Sequence, residues 1–163
     1  MTALSRDRRI SVSFASVSGA LLLLGVAYYL CFRSVLPPML VPFRSGPPAF
    51  ESVAWLGWFP SLIHVSAFGL LSCAFLRPGL ASALAAGATW AGVNLLWELS
   101  CRDQQAWLRV GVEQVGVRRV PACTYDAADI AASLAGAVAA VGIAWLILRL
   151  HGVRHPAFRE QRA

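Results

Sequence analysis

Long apolar runs alternate with short polar stretches along the chain, and the runs are of membrane-spanning length. About 20 consecutive apolar residues cross a bilayer as a helix. Stretches 10–32, 58–76, 80–100 and 127–150 meet that length. The second is the least regular, because His64 interrupts it and Pro60 lies near its start. Pro78 and Gly79 separate it from the third, which predicts a tight antiparallel hairpin. The pattern predicts an all-α, single-domain bundle of four transmembrane helices. No internal repeat or low-complexity tract interrupts it.

Composition agrees. Of 163 residues, 58% are hydrophobic and 13% charged, against about 25% charged in soluble domains. Mean hydropathy is +0.62. The net charge of +6 comes from arginine alone, with no lysine. The arginines stand at the ends of the apolar runs, which argues against nucleic acid as a partner and for anionic membrane lipids. Nor does the sequence point to any cofactor.

The basic N-terminal stretch leads into a long run ending "YYLCF" with no small-residue cleavage site, so it is read as an uncleaved first span. Cys31 follows Leu30, a poor context for lipid attachment.

Basic residues favour the cytoplasmic side. The side with both termini holds Arg6, Arg8, Arg9, Arg77, Arg149, Arg154, Arg159 and Arg162. The other holds Arg33, Arg44, Arg102, Arg109, Arg118 and Arg119. The expected topology therefore has both termini in the cytoplasm and outer loops at 33–57 and 101–126. The first loop contains Pro37, Pro38, Pro42, Pro47 and Pro48. Each lacks an amide donor, so no ordinary helix is expected there.

Polar residues in the spans bear on function. His64 enters the second span near its outer end, Glu98 leaves the third, and Asp126 and Asp129 begin the fourth. Span order alone puts all four at one depth. At helical spacing, Trp90, Asn94, Glu98 and Cys101 share a face, as do Asp126, Asp129, Ser133, Gly136 and Ala140. Ser61, His64, Phe68 and Ser72 do the same in the second span. Each helix thus has a seam of polar and small residues, and the seams are expected to face one another.

Two readings stand side by side. The carboxylates can be solvated ends, with Asp126 as a helix N-cap and both aspartates at the positive end of a helix dipole. Alternatively, the residues form a cleft or interhelical polar glue. A charge inside a bilayer costs about 2.5–3.5 kcal/mol on the lenient insertion scale, so such residues pair or mark a pathway.

His64 with Glu98 or Asp129 could perform acid–base chemistry. Asn94 and Ser133 would line such a cleft, and Arg102 and Arg119 could hold a phosphate beside it. Ser61 and Ser133 are weak candidate nucleophiles. No metal is expected, because His151 and His155 lie at the opposite end from His64 in this topology and read as a basic tail.

Cys101 and Cys123 flank the second outer loop and are candidates for a disulfide. Closing that loop would contribute about 3 kcal/mol; the alternative is two free thiols. Cys31 and Cys73 read as packing residues.

Four motifs recur in order: "MLVPFR" at 39–44, His64 in "SLIHVSAFGLL", Glu98 in "NLLWELS", and "DIAASLAG" at 129–136. This ordered set resembles the VanZ-like family of small bacterial four-span membrane proteins. Ser133 stands where that family's Asp-x-x-x-Asn-x-x-Gly motif has asparagine. Pro60 and Ser61 stand where Asp-Lys often precedes the histidine segment, and Cys101 stands near where a glutamine often follows the glutamate. The stretch between Glu98 and Asp129 is longer than usual.

The resemblance implies the bacterial inner membrane, the cell envelope and a link to antibiotic resistance. It implies an outward cleft of His64, Glu98, Asp126 and Asp129 for a lipid, a cell-wall precursor headgroup or a glycopeptide-like ligand. Phe43 and Trp97 would be at its mouth, although Trp97 also suits an interfacial anchor. Two alternatives stay open: a small intramembrane hydrolase or transferase acting on a lipid-linked substrate, and a non-catalytic assembly subunit. The residues could meet within one chain or across a homo-oligomer.

Overall fold

The computed structural model describes residues 3–33, 38–44, 46–47, 57–76, 78–111 and 126–153. Among them the chain is all-helical, with α1 (Ala3–Phe32), a 3-10 turn (Pro38–Phe43), α2 (Phe59–Phe75), α3 (Leu80–Gly111) and α4 (Ala127–Leu150). Three stretches are long and apolar enough to cross a membrane: Arg6–Phe32, Leu80–Arg102 and Ala127–Leu150. α2 is apolar but has only 17 residues.

Local chemistry sets the helix ends. Pro60 occupies the first turn of α2, where its missing N–H costs nothing. Pro78 forbids continuation beyond Leu76, whose N–H closes the last turn on the Ser72 carbonyl. At the N-cap of α4, the Asp126 side chain accepts the Ala128 N–H at 2.8 Å.

α4 ends in a Schellman motif. Gly152 adopts φ +69°, its N–H donates to the Arg149 carbonyl at 3.0 Å, and the Val153 N–H donates to Leu148 at 3.0 Å. Val153 then packs on the core. α3 differs from the expected span: it runs on through Cys101 to Gly111. "CRDQQAWLRV" lacks glycine and proline, so nothing in it stops a helix.

α2 is the centre of the fold. It packs against α1, α3 and α4, whereas α1 and α4 barely meet. At 1.5 Å per residue it is about 25 Å long, less than the roughly 30 Å hydrocarbon thickness. Its neighbours enclose it, however, and eight of its residues are buried.

Small residues make these contacts. Ala132, Ser133, Gly136, Ala140 and Ala144 are the buried face of α4, with Ile147 and Leu148 at its end. Many large apolar side chains point outward, among them Leu23, Leu96, Leu134 and Val138, while Ile10, Phe14, Ile63 and Leu70 are enclosed. In water such a surface would aggregate. In lipid, burying leucine brings no gain, and close backbone approach drives helix association.

Gly136 shows how close that approach is. A methyl group there would stand 2.6 Å from the Leu62 carbonyl oxygen. The Ser66 hydroxyl bridges the same pair of helices, its single proton shared between the Leu62 carbonyl at 2.8 Å and the Gly136 carbonyl at 3.0 Å. Ser18 ties α1 to α2 by donating to the Ala67 carbonyl at 2.8 Å.

Candidate functional site: a carboxylate cluster at one end of the bundle

Because the helices alternate in direction, the end of α1, the start of α2, the outer part of α3 and the start of α4 meet at one end. Glu98 of α3 is 8% exposed, and its Oε2 accepts the Asp126 N–H at 3.2 Å. Asp129, half-buried in the first turn of α4, accepts from the Ser61 hydroxyl at 2.9 Å. Glu98 lies within electrostatic reach of both Asp126 and Asp129. The site is therefore a cluster of three carboxyl groups on an apolar scaffold.

Deeper in the bundle the polar seam continues. Asn94 Nδ2 donates to Ser133 Oγ at 3.0 Å, and Ser133 Oγ donates to the Asp129 carbonyl at 2.7 Å. Further along, Trp90 Nε1 donates to Ser72 Oγ at 3.0 Å, and its ring stacks on Phe68 at 4.8 Å. Each serine hydroxyl here also has a backbone carbonyl or carboxylate to donate to, which keeps it satisfied without water.

His64 keeps different company. Its ring lies against Tyr29, with centroids 6.4 Å apart, and Phe68, at 6.1 Å. Among the described residues it forms no hydrogen bond to Glu98 or Asp129. The expected histidine–carboxylate pair is thus replaced by an aromatic sleeve, because the α2 side chain that reaches Asp129 is Ser61, almost one turn before His64.

Arg33 is a participant that the sequence pattern does not single out. It follows α1 directly, and its charge acts on Asp129 without forming an ion pair. Its Nη2 donates weakly to the Gly57 carbonyl at 3.4 Å, and its Nε is buried with no hydrogen-bond partner among the described residues. The signal that could find it is positional: an arginine at the end of the first span falls at the level of the acids. Counting charges for orientation does not use that depth.

Of the other candidates, Phe43 projects from the 3-10 turn and Arg102 is exposed beyond Cys101. Cys101 is disulfide-bonded, and Cys31 and Cys73 are free. Arg119 and Cys123 lie outside the described residues. Among the described residues no three His, Cys, Asp or Glu side chains are grouped to hold a metal ion.

The chain matches no protein-family model, no curated protein and no solved structure.

Proposed function

We propose that the chain is a four-span integral membrane protein of VanZ-like type, in the bacterial inner membrane with both termini cytoplasmic. Its outward carboxylate end binds the polar head of an amphiphile. In this reading α2 is the fourth span, shortened because protein surrounds it. The ligand class is a lipid, a lipid-linked cell-wall precursor or a glycopeptide-like molecule, and the expected consequence is altered resistance to envelope antibiotics.

One observation carries the reading: Glu98, Asp126 and Asp129 converge at one end of an otherwise apolar bundle, with Glu98 nearly enclosed. Carboxylates accept hydrogen bonds, so hydroxyl, amide and ammonium groups of a headgroup are their natural partners. Arg33 beside Asp129 adds a donor for a phosphate or carboxylate on the same ligand.

The test is Glu98→Gln. Glutamine keeps an oxygen for the Asp126 N–H and removes the charge. Full-length protein in nanodiscs would be titrated with phosphatidylglycerol, a lipid-linked disaccharide and a glycopeptide, with binding read by native mass spectrometry. Losing one charge-assisted hydrogen bond should weaken binding by about tenfold or more, with an unchanged melting temperature. Equal binding by both proteins across the panel removes the reading.

A second reading has its own support. Ser61–Asp129 and Asn94–Ser133 are interhelical bonds that would hold a bundle together with no ligand at all. That would make the chain a membrane assembly subunit, and Glu98→Gln would then leave every ligand titration flat. The hydrolase alternative has less support, because His64 is surrounded by rings and lacks a carboxylate to orient it.

A further inference from the structure

The 3-10 turn between α1 and α2 exposes its large apolar side chains. Met39 is 77% exposed, Val41 55% and Phe43 73%, while Leu40 is half-buried. A 3-10 helix has three residues per turn, so positions 39, 41 and 43 point in three different directions. No single protein surface could cover all three, but a fluid apolar medium can.

The backbone suits that medium. Pro38 and Pro42 have no N–H to leave unsatisfied, and the Arg44 N–H closes the turn on the Val41 carbonyl at 3.3 Å.

The guanidinium of Arg44 lies at the base of the turn. Arg44 Nη1 donates to the Leu30 carbonyl at 3.2 Å and the Arg33 carbonyl at 2.5 Å. These carbonyls terminate α1 and carry its negative dipole end, so Arg44 serves as a C-terminal cap supplied by the loop. The contact fixes the turn to α1 and puts the charge of Arg44 at the backbone of Arg33, whose own guanidinium extends to the Gly57 carbonyl just ahead of α2. Arg33 is half-buried, and its guanidinium makes only the 3.4 Å bond to Gly57 among the described residues.

We infer that the Pro38–Phe43 turn is a wedge inserted into the lipid leaflet at the carboxylate end of the bundle. An anionic phospholipid lies against it, its acyl chains on Met39, Val41 and Phe43 and its phosphate at Arg33 and Arg44. Charge complementarity selects this occupant: two cations at headgroup depth sit beside three apolar side chains at chain depth. The inference rests on the membrane-spanning reading but not on ligand binding at Glu98.

The experiment uses full-length protein with Cys31→Ser and Cys73→Ser, Cys101 being retained. Nitroxide labels are placed singly on Val41→Cys, Phe43→Cys and, as a water-exposed reference, Arg8→Cys. In nanodiscs, collision with oxygen reports lipid and collision with a nickel chelate reports water. Labels at 41 and 43 should respond to oxygen, and the label at 8 to nickel. Nickel accessibility at 41 and 43 equal to that at 8, or shielding of both from both reagents, overturns the wedge; shielding would mean that protein covers the turn.

The lipid's charge is tested separately, by the preference for phosphatidylglycerol over phosphatidylcholine in native mass spectrometry. Arg33→Gln should lower that preference about fivefold, the contribution of one basic side chain near an anionic surface, and Arg33→Lys should restore most of it. An unchanged preference in Arg33→Gln with oxygen-exposed labels overturns the anionic lipid. Because Arg33 also acts on Asp129, the charge test is repeated in Glu98→Gln. A phosphatidylglycerol preference that Glu98→Gln leaves unchanged and Arg33→Gln lowers belongs to the turn, whereas one that Glu98→Gln abolishes belongs to the carboxylates and overturns the lipid at the turn.

Discussion

The Ser61 hydroxyl donates to the Asp129 carboxylate at 2.9 Å, joining the first turn of α2 to the first turn of α4. The bond sits above the place where Gly136 of α4 leaves no room for a methyl group against the Leu62 carbonyl of α2. One helix pair thus has a polar latch at its mouth and a steric fit beneath it.

Ser61→Ala should cost about 0.6 kcal/mol of stability, the average for interhelical hydrogen bonds in membranes, and no more than about 1.7 kcal/mol. Unfolding in mixed micelles measures it. Asp129→Asn keeps an acceptor for Ser61 and should cost less. A larger loss from the asparagine than from the alanine would show that the charge of Asp129, and not the latch, matters for folding.

Gly136→Ala should be damaging, more so than a methyl added at Gly25, Gly69 or Gly87. The new methyl meets backbone at 2.6 Å and cannot displace it cheaply. Overpacking of this kind costs about 1–3 kcal/mol. Gly142, on the same helix, has open space around it, with nothing within 4 Å of where a methyl would stand. Gly142→Ala should therefore be neutral to slightly stabilising, since alanine is the better helix former by about 1 kcal/mol. Thermal unfolding of the two variants side by side checks the contrast.

Gly152→Ala should lower stability by about 1 kcal/mol, because an L residue pays to adopt the left-handed conformation that closes α4. Asn tolerates that conformation better, so Gly152→Asn should recover part of the loss. Hydrogen exchange at the Gly152 and Val153 amides would show whether the cap opens.

Trp90→Phe should retain most of the stacking on Phe68 and lose the bond to Ser72. The expected cost is about 1 kcal/mol. Ser72→Ala should cost a similar amount, and the double variant little more than either alone. Additive losses would show that the two side chains contribute independently.

The apolarity of the helices and the spanning length of three of them were legible in the sequence, as were the stop at Pro78 and the placement of Asp126 at the start of α4, whereas α2 has only 17 residues and α3 runs past its expected end to Gly111. The legible features depend on interactions within a turn or two of the chain, so local rules suffice. Convergence of Glu98, Asp126 and Asp129 at one end was legible as well, because alternating helix direction sets depth without any side-chain detail.

The facing of α2, α3 and α4 was legible from their polar and small seams, since Ser61 meets Asp129, Trp90 meets Ser72 and Asn94 meets Ser133. The exact partner of each seam residue was not, because spacing puts a residue on a face without fixing the small rotations and shifts that pair it across the gap. Tertiary packing therefore decided that Ser61 and not His64 reaches Asp129, and that Tyr29 and Phe68 flank His64. It also decided that the shortest helix is the central one, through contacts of small residues such as Gly136 with Leu62. The sequence by itself determined which residues stand at the carboxylate end, because chain direction and span length are local properties. Only the tertiary structure decided which of them touch, because that depends on sub-ångström fits between backbones far apart in the chain.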